Sequence, residues 1–477
     1  MLHLETIMDG GLVALERAYH HASQYLTTLD TRPVATTKGL DELRAALDLP
    51  LGLSGEPAGS VIDDLVRATD GGQLGSACGR FFAWAIGGAL PSALAADWLA
   101  STWDVNATLY ACGPAAAVVE EVAGKWVKEV LGLPGEASFA FTTGCQMAHM
   151  TCLAAARHAL LQARGWDVEA NGLAGAPVIR VLANEQRHGS IERTLRYLGI
   201  GTRALIPLQV GEDGRLASAT LGEALEADDG ATIVILNAAD LNIGALDPFH
   251  ELVPLAKAAG AWVHVDGAFG LWARASPERR YLAEGVELAD SWATDAHKWL
   301  NTPQDNGIAI VRDWEAHRAA MTVSASYLSA SGDARDAIDW TPDWTRRARG
   351  YAVYAALREL GQRGLAELVE RCCRHASELA RGIGALPGAE LLAAPTLNQG
   401  LVRFLAGGDC SEVDNDRRTD QVIQCINDTG EAFFSGTTWR GRRAMRISVC
   451  NWRTDEADVN RTIQAVSLVL KNRAERP

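Results

Sequence analysis

The chain has 477 residues, 48% hydrophobic and 22% charged, a balance that can bury a large core and a length that suits two or three domains. With 44 basic and 59 acidic side chains its formal charge is −15, which argues against nucleic acid or an anionic membrane as the main partner. No run of about 18 apolar residues predicts a transmembrane helix, and the opening MLHLETIMDGGLVALERAYHH lacks the basic start and cleavage site of a secretion signal. The nine cysteines are odd in number and include no Cys-x-x-Cys pair. They read as reduced thiols, so a cytoplasmic location and no metal are expected.

Residues 1–30 have apolar residues at Met8, Leu12, Leu15 and Tyr19, one face of a helix. DTRPVATTKG breaks it, and residues 40–75 read as helical pieces around the Gly/Pro-rich LPLGLSGEPAG. This arm, 1–75, has no core of its own and is expected to pack on another surface, such as a second copy of the chain. From 76 to 350 β-rich runs alternate with helical ones: SFAFTTG, PVIRVLAN, ATIVILNAA, AWVHVDGA, SWATDA and GIAIVRD mark the strands. Runs such as TIVILNA and WVHVDG are nearly all apolar, as in a sheet covered on both faces. The alternation predicts an α/β domain around a mostly parallel sheet. A long amphipathic helix is predicted over 351–381. It opens a third region, 351–477, with strands near AELLAAP, QGLVRFLA, AFFSGTTWRG and AMRISVCN and helices near 417–429 and 455–472, a small α+β domain.

Ligands on parallel sheets sit at the carboxyl ends of strands, and four polar clusters fall there. In FTTGCQMAH, Thr142, Thr143, Gly144 and Cys145 end a strand and a helix begins near Gln146. The free N–H groups of a helix start suit an anion, although an ordinary strand-to-helix turn has the same signature. In ANEQRHGSIERT, His188 precedes a helix that Ser190 can cap; a lone histidine is more often structural. In WVHVDGAFG, Asp266 ends a buried strand and needs a cation, and Ala268 offers a flat apolar surface. In SWATDAHKWLNTPQDNG, Asp295, His297 and Lys298 follow another strand.

One chemistry uses all four: pyridoxal phosphate. A lysine holds its aldehyde as a Schiff base, an aspartate keeps its pyridine nitrogen protonated, a nest of N–H groups takes the phosphate and a histidine stacks on the ring. TTGCQMAH, HVDGAFG and DAHKWLN, in this chain order, resemble the group II pyridoxal-phosphate-dependent decarboxylases, the aromatic amino acid and glutamate decarboxylases of fold type I. The likeness extends over about 75–470 and includes RFFAWAIGGALPSALAADWLASTWDVN and MRISVCNWRTDEADV.

The resemblance implies a fold type I architecture with a seven-stranded sheet and a homodimer whose active site lies at the interface, with the arm 1–75 making dimer contacts. It implies Lys298 as the Schiff-base lysine, His297 at the phosphate, Asp266 on the pyridine nitrogen, and His188 and Ala268 on the two ring faces. Thr143, Gly144, Cys145, Gln146, Asn242 and Asp295 complete the expected cofactor site. The implied reaction is α-decarboxylation of an L-amino acid through a quinonoid intermediate.

Several residues depart from the family pattern. Cys145 and Gln146 stand where relatives often have small hydroxyl residues. Asp295 stands where several have Asn or Ser, and an acid beside a phosphate must face away or meet a cation. Asn242 lies near a turn that is threonine-rich in many relatives. The segment 325–350 matches a mobile loop that carries a proton-donating tyrosine in aromatic decarboxylases, yet no tyrosine lies between Leu328 and Gly350. Trp340 and Trp344 are present instead, and Tyr327 lies just before. An aldehyde synthase outcome, decarboxylation with oxidative loss of ammonia, is therefore an alternative. A carbon–carbon lyase like the sphingosine-phosphate lyases is another, with Arg346, Arg347 and Arg349 as candidate anion binders or as ordinary paired residues. A catalytically inactive scaffold is the non-enzymatic alternative. Phe81, Phe82 and Trp84 are candidates for the substrate pocket or the core.

Overall fold

The structure is a computed structural model and describes residues 2–474 except 228, 323–333 and 409. Tyr327 and the first part of the 325–350 segment fall outside those residues.

The arm forms α1 (Leu2–Thr28), α2 (Leu40–Leu47) and α3 (Ala58–Thr69), and α3 packs back along α1. Two helices that periodicity did not announce follow, α4 (Pro91–Thr102) and α5 (Pro114–Leu131). Each begins with proline, whose fixed φ and missing N–H suit a first turn. Gly132, in the left-handed region at φ 62°, ends α5.

The main sheet is built from β1 (Ser138–Thr142), β2 (Ile179–Asn184), β3 (Leu205–Leu208), β4 (Ala231–Asn237), β5 (Trp262–Asp266), β6 (Ser291–Asp295) and β7 (Gly307–Val311). Their order is β1-β7-β6-β5-β4-β2-β3, and only β7 runs antiparallel to its neighbours. The seven-stranded, mostly parallel sheet expected of the sequence is therefore present. All residues of β1, β2, β4, β5, β6 and β7 are buried, which is why those runs are apolar. Helices α6 (Cys145–Gln162), α7 (Val168–Asn171), α8 (Ser190–Tyr197), α9 (Ser218–Glu226), α10 (Phe249–Ala258) and α11 (Trp314–Met321) flank it. Trp272, Trp292 and Trp299 are fully buried. The first two satisfy their indole N–H on the carbonyls of Asp295, at 3.0 Å, and Val286, at 2.8 Å.

Helix α12 (Gly350–Gly384) leaves this sheet, breaks at Gly361 (φ 59°) and runs under a second sheet. That sheet orders β8 (Ala389–Ala393), β9 (Gln399–Phe404), β10 (Ser435–Trp439) and β11 (Arg442–Ser448) as β10-β11-β9-β8, all antiparallel. Helices α13 (Glu412–Asp428) and α14 (Glu456–Ala474) complete this region. Among the described residues no helix is long and apolar enough to cross a membrane.

Candidate active site

The carboxyl ends of β4, β5 and β6, the start of α6 and the turn before α8 close around a cavity of about 640 Å³. Gly144, Cys145, Gln146, His188, Asp266, Ala268, Asp295, His297 and Lys298 line it, nine of the eleven expected cofactor-site residues.

Lys298 follows β6 in a turn that other parts of the chain hold rigidly. The His297 and Ala296 N–H groups both donate to the Asn306 carbonyl, at 3.2 and 3.0 Å. The Asn301 amide donates to the carbonyls of Trp299, at 2.8 Å, and Cys450, at 3.0 Å, and accepts the Trp452 N–H at 2.8 Å. Gly87 lies flat on the turn; a Cβ there would strike the Lys298 carbonyl. The Lys298 amine is 3.0 Å from Asp295. Burial would lower its pKa, but Asp295, with Cys145 and Asp266 behind it, outweighs burial and raises it.

Asp295 is therefore the acid that meets a cation. Its other oxygen accepts the Cys145 N–H, the first of α6, at 2.6 Å, a favourable place for a carboxylate. The Cys145 thiol is held well above its usual pKa by burial and by the Asp295 and Asp266 charges. It lies 3.4 Å from His149 Nε2. Gln146 turns its amide to α8, donating to the Thr194 hydroxyl at 2.7 Å and the Ser190 carbonyl at 3.3 Å.

Asp266 caps β5 in register with Asn237 of β4 and Ala293 of β6. Burial would raise its carboxyl, yet His149 outweighs it, helped by Lys298 and His188, and holds Asp266 far below the usual range. His188 Nδ1 accepts the Ser190 N–H at 3.2 Å, so its proton sits on Nε2. Burial against the cavity wall lowers its pKa.

Two expected residues do not line the cavity. Thr143 points outward from the turn and is exposed. Asn242 is buried in the loop after β4, but its side-chain oxygen accepts from Thr437 of β10, at 2.9 Å. Asn237, Ala239 and Asp240 of that loop line the cavity instead. Phe81 and Phe82 are core, stacked on Phe433 and Phe434, and only Trp84 of that trio reaches the cavity. Arg346, Arg347 and Arg349 pair with Glu120, Asp97 and Asp305, and none lines it. Paired structural residues is the reading the geometry supports.

Sequence reasoning missed three side chains here. His149, one turn after Cys145 on α6, and His264, on the same face of β5 as Asp266, carry the two periodicities that could have flagged them. Cys145, His149 and Asp266 bring three potential ligand atoms within 4.8 Å of one another, a grouping not anticipated where no metal was expected; hydrogen bonds and charge contacts already account for it. The third is Arg446 on β11, a cavity residue whose Nε and Nη2 donate, among the described residues, to the neutral Gln399 side-chain oxygen, both at 3.2 Å.

Residues 46–406 match the pyridoxal-dependent decarboxylase conserved domain, well over half of the chain. The chain belongs to the pyridoxal-dependent decarboxylase family. This decarboxylase is 25% identical over 438 residues to an aromatic-L-amino-acid decarboxylase of Bacillus atrophaeus, covering 90% of this chain and 89% of that one. It is also 25% identical over 451 residues to a 4-hydroxyphenylacetaldehyde synthase of Rhodiola rosea, at 92% and 90% coverage. The solved structure of Oryza sativa TDC with PLP and tryptamine superposes with a TM-score of 0.90 at 25% identity, over 98% of both chains.

The decarboxylase is thus a fold type I enzyme whose cofactor is pyridoxal phosphate and whose reaction is amino acid decarboxylation. Its residues fit that cofactor: one cavity holds a primary amine, a carboxylate kept ionised by its neighbours, a helix start, a histidine and a small apolar residue.

Proposed function

We propose that the enzyme decarboxylates an L-amino acid with Lys298, Asp266 and His188 as its catalytic residues. When bound, pyridoxal phosphate holds the substrate amine covalently and draws electrons from the α-carbon as the carboxylate leaves. Lys298 would hold the cofactor aldehyde before substrate arrives. Asp266, ionised in its buried setting, would keep a proton on the pyridine nitrogen. His188 and Ala268 would enclose the ring. Gly144, Cys145, Gln146 and His297 would meet the phosphate, with the Gln146 N–H at the start of α6 as a donor. Arg446 would receive an anionic group of the substrate: it is buried at the cavity wall, and among the described residues its side chain hydrogen-bonds to the neutral Gln399 oxygen. The observation that carries this reading is the convergence of Lys298, Asp266 and His188 on one cavity.

A second outcome has its own support. No tyrosine lies between Leu328 and Gly350, so a tyrosine in that loop is not there to return a proton to the product carbon. Oxidation to an aldehyde with loss of ammonia is the competing product. A screen of proteinogenic amino acids with the holo-protein, reading carbon dioxide, peroxide and ammonia together, tests both. Carbon dioxide alone supports amine formation, and all three support the aldehyde. No release from any amino acid, or a Lys298→Ala variant as active as the parent, refutes the proposal.

The enzyme is further proposed to be a cytoplasmic homodimer of an arm (1–75), a cofactor-binding domain (76–350) and a small domain (351–477). Support comes from the arm's outward apolar residues: Leu12, Leu15, Tyr19, Leu51 and Leu53 are all exposed in a single chain. Nine free cysteines suit a reducing compartment.

A further inference from the structure

From Asp266 through His149 of the cavity wall and on into the sheet, the described residues form one file of close polar contacts. His149 Nε2 is 3.5 Å from the Asp266 carboxylate. His149 Nδ1 is 2.9 Å from His264 Nε2. His264 Nδ1 is 2.9 Å from the Ser291 hydroxyl, and the Trp262 indole N–H donates to that same hydroxyl at 2.9 Å. Secondary structure builds the file. His264 and Ser291 are paired neighbours on β5 and β6, His264 shares a strand face with Asp266, and His149 lies on the face of α6 that packs on the sheet. His149, His264 and Ser291 are buried, so water does not offer alternative partners.

One arrangement of protons aims a donor at Asp266. An indole N–H can only donate, so the Ser291 oxygen accepts from Trp262, and when the Ser291 proton is turned to His264, Nδ1 accepts it. With Nδ1 accepting, His264 carries its proton on Nε2 and donates to His149 Nδ1. His149 then carries its proton on Nε2, aimed at Asp266. Each bond polarises the next in a low-dielectric interior. Burial, with His149 beside it, keeps His264 far below its usual pKa and therefore neutral.

We propose that His149, oriented by His264 and Ser291, is a positioning residue that fixes the charge and orientation of Asp266 and so sets how strongly Asp266 holds the cofactor's pyridine nitrogen. This rests on the reading of Asp266 as the partner of that nitrogen. The other groups facing Asp266 are Lys298 and His188 across the cavity and Cys145 on α6. Lys298 is itself paired with Asp295. His149 also lines the cavity, and its other ring nitrogen is held from within the sheet by His264.

The test uses the full-length protein, with pyridoxal phosphate affinity of the apo-form and the pH midpoint of the bound cofactor's absorbance as readouts. His149→Ala is expected to weaken affinity about tenfold, the loss of one hydrogen bond to a charged group. It should move the midpoint by at least about half a pH unit, because the Asp266 carboxylate beside the ring loses the His149 N–H aimed at it. His149→Gln, which keeps a donor at the Nε2 place, should recover most of both. Ser291→Ala, remote from the cavity, should move the midpoint in the same direction by less. An unmoved midpoint in a folded His149→Ala protein overturns the inference, even if affinity falls, because packing alone would do that. Should His149→Ala fail to fold, Ser291→Ala decides by the same criterion. Asp266→Ala separates the two levels: if it leaves affinity intact, the role given to Asp266 fails; if it abolishes binding while His149→Ala does nothing, only the inference fails.

Discussion

Gly307, the first residue of β7, tests whether the start of α6 binds the cofactor phosphate. It pairs with Thr142 and Asp295 and presses on Gly144. A Cβ at 307 would lie 2.5 Å from the Gly144 Cα and 2.8 Å from its carbonyl oxygen. Ordinary carbon contacts need roughly 3.5 Å, so Gly307→Ala must push this turn back by about 1 Å. The residue lies outside the left-handed region, so the clash is the whole effect. Overpacking of this kind costs about 1–3 kcal/mol of stability. Displacing the N–H groups by that distance forfeits at least one charge-assisted hydrogen bond, about 1.5–3 kcal/mol, or roughly 10- to 150-fold in affinity. Fluorescence titration of the apo-protein with pyridoxal phosphate reads this directly. Gly135→Ala, where a Cβ meets nothing within 4 Å, is the control and should bind normally. A folded Gly307→Ala protein that binds the cofactor within about twofold of the parent would refute the phosphate role of this helix start.

Four further outcomes are expected. Arg446→Ala should lower kcat/KM by roughly 10- to 150-fold, mainly through KM, while the bound cofactor's spectrum is retained; steady-state kinetics decide it. Arg346→Met leaves Glu120 buried and unpaired, and urea denaturation should report a loss of about 3–5 kcal/mol that Arg346→Met combined with Glu120→Leu largely restores. His317, bonded to Ser138 at 2.8 Å and to the Trp340 carbonyl at 2.9 Å, has its pKa lowered by burial from 6.5 to about 3. The unfolded chain gains a proton below pH 6.5 and the folded one does not, so its contribution is full above that pH and lost on acidification. At pH 5 the loss is about 2 kcal/mol, seen as a narrowing gap between the parent and His317→Gln. Deleting residues 1–60 should yield monomers or aggregates by light scattering; a stable, active dimer would count against the arm's role.

The strands and their order of appearance were legible because burial on both faces makes each an unbroken apolar run. β3 was not: its LIPL contains Pro207 and lies half exposed, so neither alternation nor a continuous apolar run marks it. Helix α4 was hidden by an alanine-rich stretch with weak amphipathicity. In the site, Lys298, Asp266, His188 and Ala268 were readable because each sits in a short polar break just after a strand. Thr143 was misplaced because a turn alternates its side chains, and the neighbour that enters the cavity is Gly144. Asn242 was misplaced because the loop after β4 folds over Asp240, whose carboxylate accepts three backbone N–H groups and turns Asn242 toward β10. Arg446 was invisible because it joins the cavity from a strand about 150 residues after Lys298, a contact no local pattern records.

The clamp on the turn after Lys298 bears on how the enzyme is made. Asn301 is fastened to Cys450 and Trp452, about 150 residues further along the polypeptide. A nascent chain can complete the large sheet while those residues are still inside the ribosome, yet its reactive amine then lacks the anchor that aims it. Aiming the amine therefore waits until the second sheet and the segment after it have folded back onto the first.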